Sequence, residues 1–485
     1  MNSYKKGYAQ NIGIIGITNI VIALRGLIML PIIAKVLGAS EYGIWAQIMV
    51  TLFLVSVIST LNLPGALARF LATEKDGREI QESFFSVIIV TLCWSSFITL
   101  ISFPLSNIFA SVLFHDPSLL QIVHLVAIIV PFWAIEIVCL GFFRAFREME
   151  TYSLLLVSRN LLELALIAYL VLSGYGVFGA VIALLIARIV VDIIMLYMII
   201  RRIGVRLPNF SKLGPYLSFG VPLIPGMLSS WVTSSSDRYV IGILVGITSV
   251  GIYSAGYGIG SIISYFYAPL AVVLLPTLSQ LYDEDKIAEV KTQLTYSLKY
   301  FLMLAIPSVF GLSVLANQLL HILTTPEFVP TGSLVVPLVA GSYLLFGVYT
   351  VFSQVLTLIK RTRIIGILWG GTALLNLGLN IIFVPKFGVL AAAVTTLICY
   401  ALVAGITIFI STKHLKFNTE GAFILKSVVA SIVMSLIIWI LNPMGIVNVL
   451  LVIGLGVIIY FAVLFLERGL NLNEIRFFRQ LLQRG

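Results

Sequence analysis

Charge is scarce in this sequence. Of its 485 residues only 10% are charged while 60% are hydrophobic, and the mean hydropathy is +1.09. Soluble domains carry about a quarter charged residues, so that class is excluded. Cysteine is nearly absent: Cys93, Cys139 and Cys399 fall inside apolar runs without CxxC spacing, which makes them packing residues and leaves the redox compartment open. The four histidines, His115, His124, His321 and His414, are scattered, and there is no HExxH, GxSxG or Walker A sequence. No carboxylates cluster at metal-ligand spacing. No catalytic residue, metal site or bound cofactor is therefore expected. Long polar connections are missing too, since the longest, near 64–82, 201–212, 276–290 and 316–332, are too small to be domains. An enzyme building glycans at the membrane surface usually needs a larger loop than these to hold acid and base groups at the water interface.

What the chain does have is apolar runs of about 20 residues, the length that crosses a bilayer core. They follow one another from residue 11 to residue 467, and predict helices at 11–36, 43–63, 83–106, 118–143, 151–173, 176–200, 213–236, 246–275, 291–315, 333–357, 362–384, 388–412, 422–441 and 447–467. Fourteen helices make an all-α polytopic membrane protein. Lys5 and Lys6 ahead of the first run imitate a signal peptide, but the run is too long and lacks a small-residue cleavage site, so it reads as a retained helix. With the N-terminus placed in the cytoplasm, 23 of the 30 lysines and arginines fall on the inner side and only Lys35, Arg238 and Lys386 on the outer. That segregation follows the positive-inside rule and predicts cytoplasmic N- and C-termini. It also accounts for the net charge of +10 without a nucleic-acid partner.

Two pairs of segments repeat at nearly one period. LGASEYGIWA at 37–46 returns as VGITSVGIYS at 245–254, an offset of 208, and YGVFGAVIALLI at 175–186 returns as FGVLAAAVTTLI at 387–398, an offset of 212. Together they predict an internal duplication. An even number of helices per repeat keeps both halves in the same orientation. Gly38 should therefore correspond to Gly246 and Gly176 to Gly388, by rotation about an axis along the membrane normal.

The few charges inside the apolar runs are Arg25, Glu136, Arg159, Glu163, Arg188, Asp192 and Lys299. Each is costly, roughly 2.5–3.5 kcal/mol at a bilayer centre on insertion scales, so each should face a cavity or a partner. Arg159 with Glu163 and Arg188 with Asp192 are spaced i to i+4, which allows structural ion pairs as well as a cavity role. Arg25 has no such partner nearby in sequence, and is expected to line a water-filled path. Glu136, Glu163 and Asp192 are the helix-interior carboxylates available for coupling to H+ or Na+. In the seventh helix Pro222 and Pro225 should bend or break the backbone, and a hydroxyl-rich run leads to Asp237 and Arg238, a face suited to a polar cavity.

LPIIAKVLGASEYGIWA, LPGALARFLA at 63–72, FGVPLIPG with SSSDRYVIGILVG, VGIYSAGY and LNIIFVPKFGVLAAA at 379–393 together resemble the polysaccharide-export, Wzx-like oligosaccharide flippases of the MOP superfamily, over about residues 10–412. The resemblance implies two parallel six-helix lobes around a central cavity, here 1–206 and 207–415, with two further helices and a cytoplasmic tail over 416–485. It implies translocation of a polyprenyl-pyrophosphate-linked oligosaccharide across the cytoplasmic membrane by alternating access, with membrane lipids and other polysaccharide-assembly proteins as partners. Recognition of the pyrophosphate would fall on Arg25, Arg159, Arg188 and Lys299, with Asp237 and Arg238 also on the cavity. A multidrug exporter and a peptidoglycan lipid flippase of the same superfamily are two other readings, and a membrane-embedded glycan polymerase is the third, from the enzyme class.

Overall fold

The computed structural model describes residues 2–469; the expected tail beyond, with Arg476, Arg479 and Arg484, and the side chains of Lys5 and Lys6 lie outside the described residues. Among the described residues there is no strand. In chain order the helices are α1 (Asn2–Ser59), α2 (Leu63–Leu71), α3 (Gly77–Leu113), α4 (Leu120–Ala145), α5 (Met149–Leu170), α6 (Gly176–Ile203), α7 (Leu213–Gly220), α8 (Ile224–Leu244), α9 (Ile247–Gly260), α10 (Ser264–Asp283), α11 (Ile287–Val314), α12 (Ala316–Leu323), α13 (Val329–Leu358), α14 (Thr362–Phe387), α15 (Val389–His414), α16 (Gly421–Leu441) and α17 (Ile446–Leu466).

Among the described residues eleven continuous helical stretches are long and apolar enough to span a bilayer. Two of them are double: Val21–Ser59 is broken at Gly38 and Met149–Ile203 at Gly174–Gly176, which raises the number to thirteen. The interrupted pair α7–α8 is the fourteenth, and its serines and Asp237–Arg238 keep its mean hydropathy low. The expected count stands. Two connections expected as loops hold short helices instead, α2 and α12. In α2 the apolar residues Leu63, Ala66, Leu67 and Leu71 recur at helical spacing and are buried, so packing stabilises a segment too short to persist alone. Large apolar side chains such as Leu100, Leu172 and Trp439 are about 70% exposed, as a lipid-facing surface requires.

Packing divides the chain into two units, Met1–Gly251 and Ile252–Gly485. The division expected at 206 is one of sequence repeat, which packing alone does not test. In the first unit α8 lies against α1, where Trp231 Nε1 donates to the Val50 carbonyl at 3.2 Å and the Tyr239 and Thr51 hydroxyls meet at 2.7 Å. In the second, α14 and α15 are joined by a buried polar ladder: Thr395 donates to Asn380 (2.6 Å), Asn380 to Asn376 (3.1 Å) and Asn376 to Thr396 (3.4 Å). Lipid chains are as apolar as leucine, so such hydrogen bonds and close packing hold membrane helices together.

The paired segments share backbone features. All four glycines of the two pairs have positive φ: Gly38 at 77°, Gly246 at 121°, Gly176 at 58° and Gly388 at 64°. Gly176 and Gly388 also share ψ, −154° and −150°, a region open almost only to glycine. The first pair brings a reciprocal contact. A Cβ on Gly43 would overlap the Ile247 carbonyl, and one on Gly251 would overlap the Ala39 carbonyl. Residues 43 and 251, and 39 and 247, are each 208 apart, so the two segments contact one another isologously, as elements related by a two-fold do.

Candidate functional site

Six of the seven charges singled out inside the apolar runs belong to the first unit, and five of them form one connected network. Arg25 comes from α1, Glu136 from α4, Arg159 and Glu163 from α5, and Arg188 from α6. Glu163 is the hub. It accepts a charge-assisted hydrogen bond from Arg25, lies 3.3 Å from Arg159 Nη1 on its own helix, and lies 3.6 Å from Arg188 Nη1. Glu136 bridges the same two α5 and α6 arginines, 3.1 Å from Arg159 Nε and 3.6 Å from Arg188 Nε. The Arg188 guanidinium also stacks over the Trp133 ring at 4.1 Å, a cation–π contact that helps hold a fully buried cation.

These positions correct two expectations. Arg25 is not alone: its partner Glu163 lies 138 residues away, on a helix that only the tertiary fold brings alongside. Arg188 does not pair with Asp192. Its guanidinium is drawn across to the two glutamates, and both Asp192 carboxylate oxygens are buried without a hydrogen-bond partner. The i to i+4 pair expected between Arg159 and Glu163 does form. Spacing on one helix permits a pair, but a long arginine goes to whichever carboxylates lie across the helix interface.

The network has donors to spare. Three guanidiniums carry five N–H donors each, against two carboxylates. Arg25 Nε, Arg159 Nε, Arg188 Nε and Arg188 Nη1 are buried without a well-aligned hydrogen bond. The connected groups sum to +1, three arginines against two glutamates. Arg25 and Arg159 keep 14% and 13% of their side chains accessible while Arg188 is sealed at 1%, so the first two can meet a ligand and the third cannot without rearrangement. Such a cluster can take an oxyanion by lending it donors that the glutamates leave unused.

The remaining expected residues lie elsewhere. Asp237 and Arg238 are buried on α8, where Arg238 Nη1 is 3.3 Å from Asp237 Oδ1 and donates to the Ser234 carbonyl at 3.1 Å. Pro222 falls in a 3-10 turn, Val221–Leu223, that interrupts the seventh span, and Pro225 stands in the first turn of α8, so the break is where the prolines predict it. Lys299 belongs to the second unit, its Nζ 3.9 Å from Glu420 and 5.1 Å from the Phe423 ring centre. Trp133 was not singled out from sequence, because an aromatic in an apolar helix carries no signal of a cation above it. Among the described residues no group of three or more His, Cys, Asp or Glu is placed to hold a metal ion.

Comparison with known proteins gives a consistent set of likenesses. Residues 8–282 match the family model described as polysaccharide biosynthesis protein, and residues 222–382 match the MatE family. The probable low-salt glycan biosynthesis flippase Agl15 of Haloferax volcanii is 26% identical over 194 residues, 40% of this chain and 39% of that protein. The probable flippase AglR of the same organism is 28% identical over 275 residues, 54% of this chain and 55% of that one. The chain thus spans about half the length of these curated relatives, or less. Among solved structures, the lipid II flippase MurJ in an inward closed conformation superposes with a TM-score of 0.74 at 18% identity, covering 96% of this chain and 99% of that one. The two share an all-helical fold.

Proposed function

The chain belongs to the polysaccharide biosynthesis protein family, and from that premise we propose that it is a flippase for a polyprenyl-(pyro)phosphate-linked oligosaccharide. The observation that carries the reading is the net-positive arginine network within apolar helices, with donors unspent and two of its three guanidiniums accessible. A lipid-linked glycan has a tail that can stay in the bilayer and a charged, hydroxylated head that cannot cross it. Arg25 and Arg159 supply forked donors for the phosphate oxygens, which compete with Glu163 for the same guanidiniums. The glutamates partner the guanidiniums between substrates and let go in exchange for the phosphate. Opening of the polar path to each side in turn would then move the head across. Asp192, buried and without a hydrogen-bond partner, is the carboxylate best suited to couple the cycle to H+ or Na+.

Similarity to proteins named as probable flippases supports this reading, and so does the fold shared with a lipid flippase. The multidrug-exporter reading draws on the MatE match; against it stand the unspent guanidinium donors of the network, which suit an anion rather than a cation. Complementation of a strain lacking its oligosaccharide flippase tests the proposal. Restored surface glycan in such a strain is the expected outcome. Export of cationic dyes without restored glycan would favour the exporter.

A further inference from the structure

The second unit holds a cavity of about 430 Å³ that has no part in the arginine network. Its walls are the first turns of α11 and the connection between α15 and α16. Lys291 and Lys416 stand exposed at its mouth, Thr295 lies partway in, and Lys299 is buried at its floor. Glu420 is the one carboxylate in the lining, so the cavity carries three positive charges against one negative. The loop is braced for this shape. Asn418 donates its side-chain amide to Glu420 Oε1 at 2.8 Å and accepts the Glu420 N–H at 2.9 Å, while Glu420 takes a left-handed φ of 52°.

Depth narrows the ligand. α11 has 28 residues, about 42 Å at 1.5 Å per residue, against a hydrocarbon core of about 30 Å. The surplus of about eight residues belongs to its first turns, where Glu289, Lys291, Thr292, Gln293 and Thr295 replace the apolar residues of the far end. The cavity mouth is therefore at lipid head-group level, on the face that the lysine and arginine pattern assigns to the cytoplasm. A net +2 lined by ammonium, hydroxyl and amide donors complements a dianion with several exposed oxygens, and a phosphate monoester has that charge.

We propose that this cavity is a binding site for the phosphate-monoester head group of a membrane lipid, with Lys299 at its floor and Lys291 and Lys416 closing over it. The proposal goes beyond the flippase reading and does not depend on it. The test uses the purified full chain in detergent, with bound lipid counted by native mass spectrometry. The probes are phosphatidic acid (a monoester), phosphatidylglycerol (a singly charged diester) and phosphatidylcholine. Phosphatidic acid should be retained in preference to phosphatidylglycerol supplied at twice the concentration, and phosphatidylcholine should not compete. Each mouth lysine should be worth about fivefold, so Lys291→Gln with Lys416→Gln should weaken retention about 25-fold. Both residues are exposed, so the variant should fold; a circular-dichroism melt matching wild type establishes that it does. Equal retention of the diester at matched charge, or retention indifferent to the lysines, would overturn the proposal. Full displacement by inorganic phosphate at the same concentration as the lipid would assign the site to a soluble phosphate and overturn it equally.

Discussion

Glu163→Gln is the most informative perturbation of the network, because it keeps the shape of the hub and removes its charge. Three arginines from three helices converge on Glu163. Arg159 and Arg188 would retain Glu136 at 3.1 and 3.6 Å, but Arg25 would lose its only ion pair among the described residues. The connected charge would rise from +1 to +2. Breaking one side of a buried pair costs about 3–5 kcal/mol, and the accessible fraction of Arg25 allows some solvent screening, so a loss of about 3 kcal/mol is expected. Arg25→Ala should cost less, about 1.5 kcal/mol, since Glu163 keeps two other arginines. Unfolding of the purified protein by titration with dodecyl sulfate, followed by tryptophan fluorescence, would rank the variants. The expected order is wild type, Arg25→Ala, then Glu163→Gln, with the double variant close to Arg25→Ala. Glu163→Gln as stable as wild type, or Arg25→Ala the less stable of the two singles, would refute the assignment of Glu163 as hub. In binding, Glu163→Gln should hold a pyrophosphate-bearing lipid more tightly than wild type while translocating it more slowly, because the competing carboxylate is gone.

Three further predictions rest on independent features. Gly388→Ala should destabilise by about 1–3 kcal/mol through backbone strain alone, since no atom lies within 4 Å of the added methyl, whereas Gly176→Ala should cost more because its methyl would sit 3.0 Å from Glu41 Oε2; thermal melts of the two compare them. Cysteines introduced at the exposed positions 75, 205 and 362 should react with an impermeant maleimide only from the cytoplasm, and ones at 115 and 444 only from outside, with outside labelling at 205 contradicting the topology. Asp192→Asn should leave the protein folded, as neither carboxylate oxygen has a hydrogen-bond partner to lose, and should abolish the dependence of transport on an imposed H+ or Na+ gradient; a variant that keeps full gradient dependence would remove Asp192 from coupling.

The fold was legible in the sequence because bilayer thickness fixes the length of every apolar run, and the break at Pro222 and Pro225 was legible because proline cannot donate. The shared backbone conformation at 176 and 388 was legible because it is written in glycine: almost only that residue tolerates it, so both members of the repeated pair keep it. Side-chain pairing was legible only in part. Residues on one helix face can be read from spacing, which finds Arg159 with Glu163, but the choice Arg188 makes between Asp192 and two glutamates depends on how α4, α5 and α6 pack. For the same reason the bridge that Glu136 makes between two arginines had no sequence signal. The lysine cavity in the second unit was beyond reach, because Lys291 and Lys416 are 125 positions apart and each reads singly as a positive-inside residue.

The central claim is that the accessible arginines of this network carry the phosphate of a lipid-linked sugar across the membrane. Proteoliposomes containing the purified chain and a fluorescent polyprenyl-pyrophosphoryl sugar, with the outer-leaflet label quenched by dithionite, measure that directly. Wild type should expose inner-leaflet label to the quencher at a rate that rises with the amount of protein. Arg25→Ala, reconstituted at equal folded protein, should fall to the rate of empty liposomes, and Arg25→Lys should recover part of it, since lysine keeps the charge and loses the fork. Translocation by Arg25→Ala at the wild-type rate would contradict the account.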